Sequence, residues 1–301
     1  MDEDKYKAIW LSYSAIKDFL NCPRAYYFRY VYRNPKTGKK ISISKPALSL
    51  GSTVHAVLDQ ISVLPTKSRF DVSLTDRFEK EWTSVTGKRG GFSEMQEETL
   101  LKARGCSMIE RIQKNPGILA LPAVKIKEDI PYYWFSKEEN LILCGKIDWL
   151  SYDEKNNSVH IVDFKTGKVR ESDGSLQLPI YILLTTNCQK RPVSGASYWY
   201  LESEDEPIPV QLPNVADSER TIMDVGMRIK LARQLNHFKC ISDEKQGCRY
   251  CASLGAIVNG KGEFVGSSAW GDEVYYLSPH ELSLSTGSPR YHSLDFPDDE
   301  E

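Results

Sequence analysis

Two apolar segments with charges set inside them constrain this chain more than any other feature. Gly145-Lys146-Ile147-Asp148-Trp149-Leu150 and Val159-His160-Ile161-Val162-Asp163-Phe164-Lys165 are rich in β-branched and aromatic residues. Between them lies Asp153-Glu154-Lys155-Asn156-Asn157, a turn by composition. The spacing predicts a β-hairpin formed by strands 141–152 and 159–165. Side chains alternate along a strand, so Asp163 and Lys165 share a face. An even-membered turn brings Asp148 onto that face too. It lies opposite Asp163 if the loop centres on Lys155-Asn156, and opposite Lys165 if it centres on Asn156-Asn157. In either register two carboxylates and an ammonium converge, with about 5 Å between the β-carbons of direct neighbours.

That convergence has chemical consequences. Adjacent carboxylates repel, and one is driven to take up a proton unless a cation lies between them. Hard Mg²⁺ or Mn²⁺ prefers oxygen ligands and keeps positions open for water and phosphate. Beside such an ion, Lys165 can orient a water, lower its pKa or neutralise transition-state charge. A lone Asp-x-Lys on a strand is usually a surface ion pair. Asp148, between Ile147 and Trp149, argues for more, because a charge in so apolar a run usually has a purpose.

The surrounding pattern is mixed. Ser12 or Ser14 can cap a helix that stops near Cys22, and Pro23 suits the first turn of a second helix over 24–32. A helix over 50–61 turns Val54, Val57, Leu58 and Ile61 inward and carries His55. Residues 66–118 read as a polar helical insertion. Strands are expected at 124–135, 196–201 and, briefly, 274–277. Helices are expected at 176–184, where Gln177 and Tyr181 share a face, and at 218–238. Pro179 is tolerable only near a helix start, which puts Gln177 in the first turn. The order implies one α/β core over 1–258 with helical decoration, followed by a polar extension over 259–301 ending in a flexible tail.

Composition sets limits on function. The 301 residues carry a net charge of −2, so no global positive field draws the chain to a polyanion. Locally, Arg24, Arg29, Arg33, Lys36, Lys39, Lys40 and Lys45 fall in a stretch without acidic residues. Tyr26, Tyr27, Phe28, Tyr30 and Tyr32 interleave with its arginines, as in a single-strand clamp or an ordinary core-facing helix. The start Met1-Asp2-Glu3-Asp4-Lys5 is unlike a secretory signal, and no apolar run reaches about 18 residues, so a cytoplasmic chain without membrane contact is expected. Gly255-Ala256-Ile257-Val258-Asn259-Gly260-Lys261-Gly262 lacks the Ser/Thr of a P-loop, and no Gly-x-Ser-x-Gly elbow precedes a helix. An ATP-driven motor and a serine hydrolase are therefore disfavoured; a helicase, if one takes part, is another chain.

In order, Cys22-Pro23-Arg24, Gly51-x-x-x-His55, Gly145-x-Ile147-Asp148, Ile161-Val162-Asp163-Phe164-Lys165-Thr166-Gly167-Lys168 and Gln177-x-x-x-Tyr181 resemble the PD-(D/E)XK nuclease superfamily, in its RecB-nuclease-domain branch. The resemblance implies a restriction-endonuclease-like α/β core, a central mixed sheet flanked by helices. It implies metal-dependent hydrolysis of DNA, with single-stranded DNA cut from an end in recombination, repair or CRISPR-type adaptation. A catalytically silent DNA-binding or scaffold module is the alternative, disfavoured because Asp148, Asp163 and Lys165 are all present. By position, Asp148, Asp163 and His55 would hold Mg²⁺ or Mn²⁺, and Lys165 would be the catalytic lysine. Gln177 and Tyr181 would organise the site, Arg24 and Arg29 would contact DNA, and Glu128, on the strand before the hairpin, would take a secondary role.

Seven cysteines, an odd number, argue against a disulfide framework. Cys106, Cys144 and Cys188 read as small buried hydrophobes. Many relatives hold a 4Fe-4S cluster with one cysteine before the nuclease core and three after it. Cys22, Cys248 and Cys251 match that pattern, but Ile257 stands where a further cysteine is usual, and Cys240 is the substitute. Four thiolates suit an iron–sulfur cluster, with zinc the less favoured ion.

Overall fold

The computed structural model describes residues 4–172, 174–243 and 247–286. Among them are ten strands: β1 (Ile9–Leu11), β2 (Ile41–Ile43), β3 (Tyr132–Ser136), β4 (Leu141–Cys144), β5 (Trp149–Asp153), β6 (Ser158–Lys165), β7 (Val193–Tyr200), β8 (Ile208–Val210), β9 (Glu263–Ser267) and β10 (Glu273–Tyr276). They form three sheets, ordered β1-β4-β3, β2-β10-β9 and β5-β6-β7-β8. The last is mixed: β5 and β7 flank β6 antiparallel and parallel, and β8 returns antiparallel to β7. With its helices this is a mixed α/β architecture, as expected.

The described residues fall into two compact units. The first takes in those of Met1–Ile16, Gly51–Glu79 and Arg104–Lys230; the second takes in those of Lys17–Leu50, Lys80–Ala103 and Leu231–Glu301. Between residues 66 and 118 the regular structure is helical, chiefly Leu74–Trp82 and Met95–Lys114. Residues 287–301, where a flexible tail is expected, lie outside the described residues. No helix among the described residues is long and apolar enough to cross a membrane.

In the first unit the hairpin forms with its turn at residues 154–157. Asp153 shapes it, its carboxylate accepting from Lys155 N at 3.0 Å and Asn156 Nδ2 at 2.6 Å, while Asn157 takes the left-handed φ of 47° that Asn tolerates. Trp149 pairs with Val162 and Leu150 with Ile161. Carried one residue further, this register sets Asp148 opposite Asp163, the first of the two possibilities. Strand β6 is buried along almost its whole length, as a strand covered on both faces must be. A parallel β6–β7 pair requires a crossover, which the helix Gln177–Cys188 supplies. All residues from Leu178 to Thr185 are buried in it, and Pro179 falls in its first turn.

Three expected elements change on folding. The strand expected over 141–152 is two strands of different sheets, interrupted between Cys144 and Trp149. Gly145 lies at the break, and a Cβ there would stand 3.1 Å from Leu184 of the crossover helix. The strand expected over 124–135 is reduced to β3, and Pro131 just before it cannot donate to a ladder; a single bridge joins Ala123 to Ser151 ahead of the expected start. In the second unit, the helix expected over 24–32 is α-helical only for Pro23–Tyr26 and continues as a π-helix, Tyr27–Val31. The short strand expected near 274–277 exists as β10, flanked by β2 and β9. Ile41, Leu254, Ile257 and Leu277 form the core beneath it.

Candidate active site

The site is built where β6 ends and the crossover helix begins. Asp163, in a strand buried on both faces, is 2% exposed. Its Oδ1 accepts from Gln177 Nε2 at 3.0 Å. Its Oδ2 lies 3.0 Å from the Lys165 ammonium, without the alignment of a hydrogen bond. The Lys165 ammonium already supplies counter-charge there, and a metal cation would add the aimed partner that this buried acceptor lacks. Burial, and then the neighbouring Asp148, push the Asp163 carboxyl up to about 7.

Asp148 stands in the break before β5. Its Oδ2 accepts from Phe164 N at 2.9 Å, tying the break to the partner strand, and its Oδ1 lies 3.0 Å from His55 Nδ1. Burial disfavours a charged His55, but the Asp148 carboxylate outweighs it and holds the imidazole above its ordinary pKa. The contact occupies Nδ1 and leaves Nε2 as the ring's second ligand atom, the usual disposition of a carboxylate-oriented metal histidine. Gly51, one helical turn before His55, lets the helix approach the end of β6: a Cβ there would sit 3.2 Å from Thr166 Oγ1.

Lys165 is held from three sides. Asp163 Oδ2 is at 3.0 Å, Glu171 Oε2 at 2.9 Å, and Gln177 Oε1 accepts a further hydrogen bond. Burial works against its charge, but Asp163 and Glu171 outweigh burial and raise its pKa, so it is an ammonium at neutral pH. Gln177 thus reads both members of the Asp-x-Lys pair, and it also donates to Tyr181 Oη at 3.2 Å. Burial and Asp163 hold the Tyr181 phenol well above its usual range, leaving it protonated.

Glu171 was not legible as a site residue. It lies in an irregular loop after β6, and Tyr13 Oη donates to its Oε1 at 2.8 Å from 158 residues away in sequence. No periodicity or spacing links the two. Glu128, expected on a strand, lies instead in an exposed bend before Pro131, where β3 has not begun. It lines an open cleft together with Asp148, Asp59, Lys125, Lys146 and Trp149. Asp59 pairs there with Lys125 and, at 3.0 Å, with Lys146.

The family model of the PD-(D/E)XK nuclease superfamily matches residues 10–255, which include every group just described. The chain belongs to that superfamily. A search of curated proteins gives no match. Superfamily membership suggests a metal-dependent nuclease, a hydrolase acting on DNA, and members typically use Mg²⁺ or Mn²⁺.

The second unit holds a different group. The sulfurs of Cys22, Cys240, Cys248 and Cys251 all lie within 4.8 Å of one another, the only such cluster of metal-ligating side chains among the described residues. Cys22 to Cys240 is 3.9 Å, Cys240 to Cys251 3.5 Å, and Cys248 to Cys251 3.7 Å. Cys240 Sγ also accepts from Ser242 N at 3.4 Å and Cys248 N at 3.3 Å. A hydrogen bond from Cys251 pulls the Cys22 thiol down to about 4, and the same contact pushes Cys251 up. Two arginines expected on DNA are engaged in this unit: Arg24 Nε donates to Cys251 Sγ at 3.2 Å, and Arg29 Nε pairs with Asp18 at 3.4 Å. Tyr26, 1% exposed, stacks on Tyr30 and is a core residue. Cys106, Cys144 and Cys188, expected to be buried, are only half-buried; Cys106 donates to Glu79, and Cys188 to Tyr132 O.

Proposed function

We propose that the chain is a RecB-branch DNA nuclease that cuts single-stranded DNA from an end, in recombination, repair or CRISPR-type adaptation. The observation that carries the nuclease reading is the convergence of Asp148, Asp163 and Lys165, with Asp163 Oδ2 buried and lacking an aimed donor. Asp148 and Asp163 would hold Mg²⁺ or Mn²⁺, with His55 as a further ligand. When bound, the ion supplies charge neutralisation at the phosphate and acidification of a water. Lys165, as an ammonium, donates hydrogen bonds and opposes the negative charge that grows on the phosphoryl oxygens, rather than acting as a base. Gln177 fixes the Lys165 and Asp163 rotamers together, and Tyr181 anchors Gln177. Lys125 and Lys146, on the cleft wall beside Asp148, offer cations to the DNA backbone.

We infer that the four cysteines hold a metal. A metal–sulfur bond of about 2.3 Å places tetrahedral thiolates about 3.8 Å apart; the Cys22–Cys240, Cys240–Cys251 and Cys248–Cys251 spacings fall around that value, and every pair lies within 4.8 Å. This supports a single tetrahedral ion such as Zn²⁺. A 4Fe-4S cluster interposes its own iron and sulfide atoms and needs the four sulfurs to spread.

Digestion of DNA labelled at either end, with Mg²⁺, Mn²⁺ or EDTA, tests the first reading. Lys165→Ala is expected to lower cleavage ~10³-fold while metal binding survives, and Asp163→Ala to lose both. Full cleavage by either variant refutes the assigned roles, and bound but uncut DNA with the unaltered chain identifies the scaffold alternative. Metal analysis and the visible spectrum of anaerobically purified protein separate colourless zinc from a brown cluster.

A further inference from the structure

Arg24 directs its guanidinium into the cysteine cluster. Nε donates to Cys251 Sγ at 3.2 Å, while backbone N–H groups of Ser242 and Cys248 serve Cys240. The chain makes room for this side chain at Gly247, whose φ of 97° an L side chain rarely adopts. A Cβ on Gly247 would collide with the Arg24 guanidinium and stand 2.7 Å from Cys251 Sγ. Arginine, backbone and sulfur are therefore fitted to one another.

We propose that Arg24 is a positioning residue of the cysteine metal site: it aims Cys251 and offsets the negative charge that four thiolates leave around one dication. The inference rests on the metal reading above and goes beyond it, because it moves Arg24 from a DNA contact to the metal's surroundings. Thiolates bind metal only when deprotonated, so four of them around a dication leave a net negative charge in a largely buried place. A fixed cation with an N–H directed at sulfur lowers that cost. Lysine does not reproduce it, having a mobile point charge in place of a planar fork.

The test uses the full chain and Zn²⁺ transfer to a chromophoric chelator. Arg24→Gln is expected to retain metal as purified but to release it roughly tenfold faster than the unaltered chain, the scale of lost support around a metal. The slope of DNA affinity against salt should stay the same. Equal release rates overturn the proposal, and a salt slope reduced by about one with equal release returns Arg24 to a phosphate contact. An unaltered chain with no bound metal fails the metal reading itself, and the proposal falls with it. If Arg24→Gln does not fold, Arg24→Lys decides in protein produced with Co²⁺. A shifted thiolate-to-cobalt absorption supports the aimed N–H, and an unshifted one overturns it.

Discussion

The aspartate–lysine site and the cysteine site solve opposite problems. At the first, the protein supplies its own counter-charge: Lys165 lies against both Asp163 and Glu171, and Gln177 ties the pair together. Only one buried oxygen is left without an aimed donor. At the second, four sulfurs crowd together with a single arginine shown donating among them. Hard oxygen ligands with an internal cation describe a site that exists before its ion arrives and keeps room for substrate. Four soft sulfur ligands gathered within one another's reach describe a site closed by its ion. On the functions proposed above, one serves turnover and the other holds a fold.

The largest expected effect follows from that contrast. Cys251→Ser should cost about 4 kcal/mol or more, since a structural ion contributes its binding energy to folding. For a domain of this size that lowers the melting temperature by roughly 8–16 °C. Withholding Mg²⁺ should leave the melting temperature nearly unchanged. Scanning calorimetry of the two preparations checks this. Equal sensitivity to both treatments breaks the contrast.

Much of this was legible in the sequence, and the illegible part has physical causes. The hairpin, the shared face of Asp163 and Lys165, and the Gln177–Tyr181 pair follow from periods of 2 and 3.6, which local sequence records. So does the gathering of Cys22 with Cys248 and Cys251, through a resemblance. The choice between two registers did not follow, because Asp153, Asn156 and Asn157 suit turns centred on either pair. The break before Asp148 did not either. Ile147 and Trp149 look like strand, and the close approach of Leu184 to Gly145, where the break begins, is a tertiary event that local sequence does not record. Glu171 and Tyr13 were missed because a loop acid acquires meaning only from what folds against it. The surroundings of Arg24 were hidden for a related reason: next to aromatics and other cations it looks like a DNA contact, and only the fold sets Gly247 and Cys251 beside it.

A second prediction sharpens the first site alone. Burial and Asp148 raise the Asp163 carboxyl to about 7, so below that pH a proton competes with the metal. Mg²⁺ affinity should fall toward tenfold per pH unit below about 7 and flatten above it. The sign for stability is opposite. A carboxyl whose folded pKa is raised stabilises the metal-free fold at low pH and loses that contribution as pH rises from about 4 to about 7. His55, also raised, acts in the same direction. Metal-free protein should therefore melt lower at pH 7 than at pH 5, and Asp163→Asn should reduce the difference. Isothermal titration and thermal melts across that window test both parts. An affinity independent of pH would mean that Asp163 is not the proton-linked ligand.

The smallest effect concerns Glu171. If an ion engages Asp163, that carboxylate no longer serves Lys165 alone, and Glu171 at 2.9 Å becomes the lysine's remaining full counter-charge. Glu171→Gln keeps the shape and one acceptor but removes the charge. A charge-assisted hydrogen bond contributes about 1.5–3 kcal/mol, so kcat should fall roughly 10- to 100-fold with little change in KM. Tyr13→Phe removes a neutral donor to Glu171 together with the acceptor of Ser175 Oγ, and should cost about 1 kcal/mol, close to fivefold. The order of the two variants carries the argument: charge held on Lys165 must count for more than the hydroxyl that steadies Glu171. If Tyr13→Phe proves the more damaging, Tyr13 itself touches the substrate and Glu171 is its support.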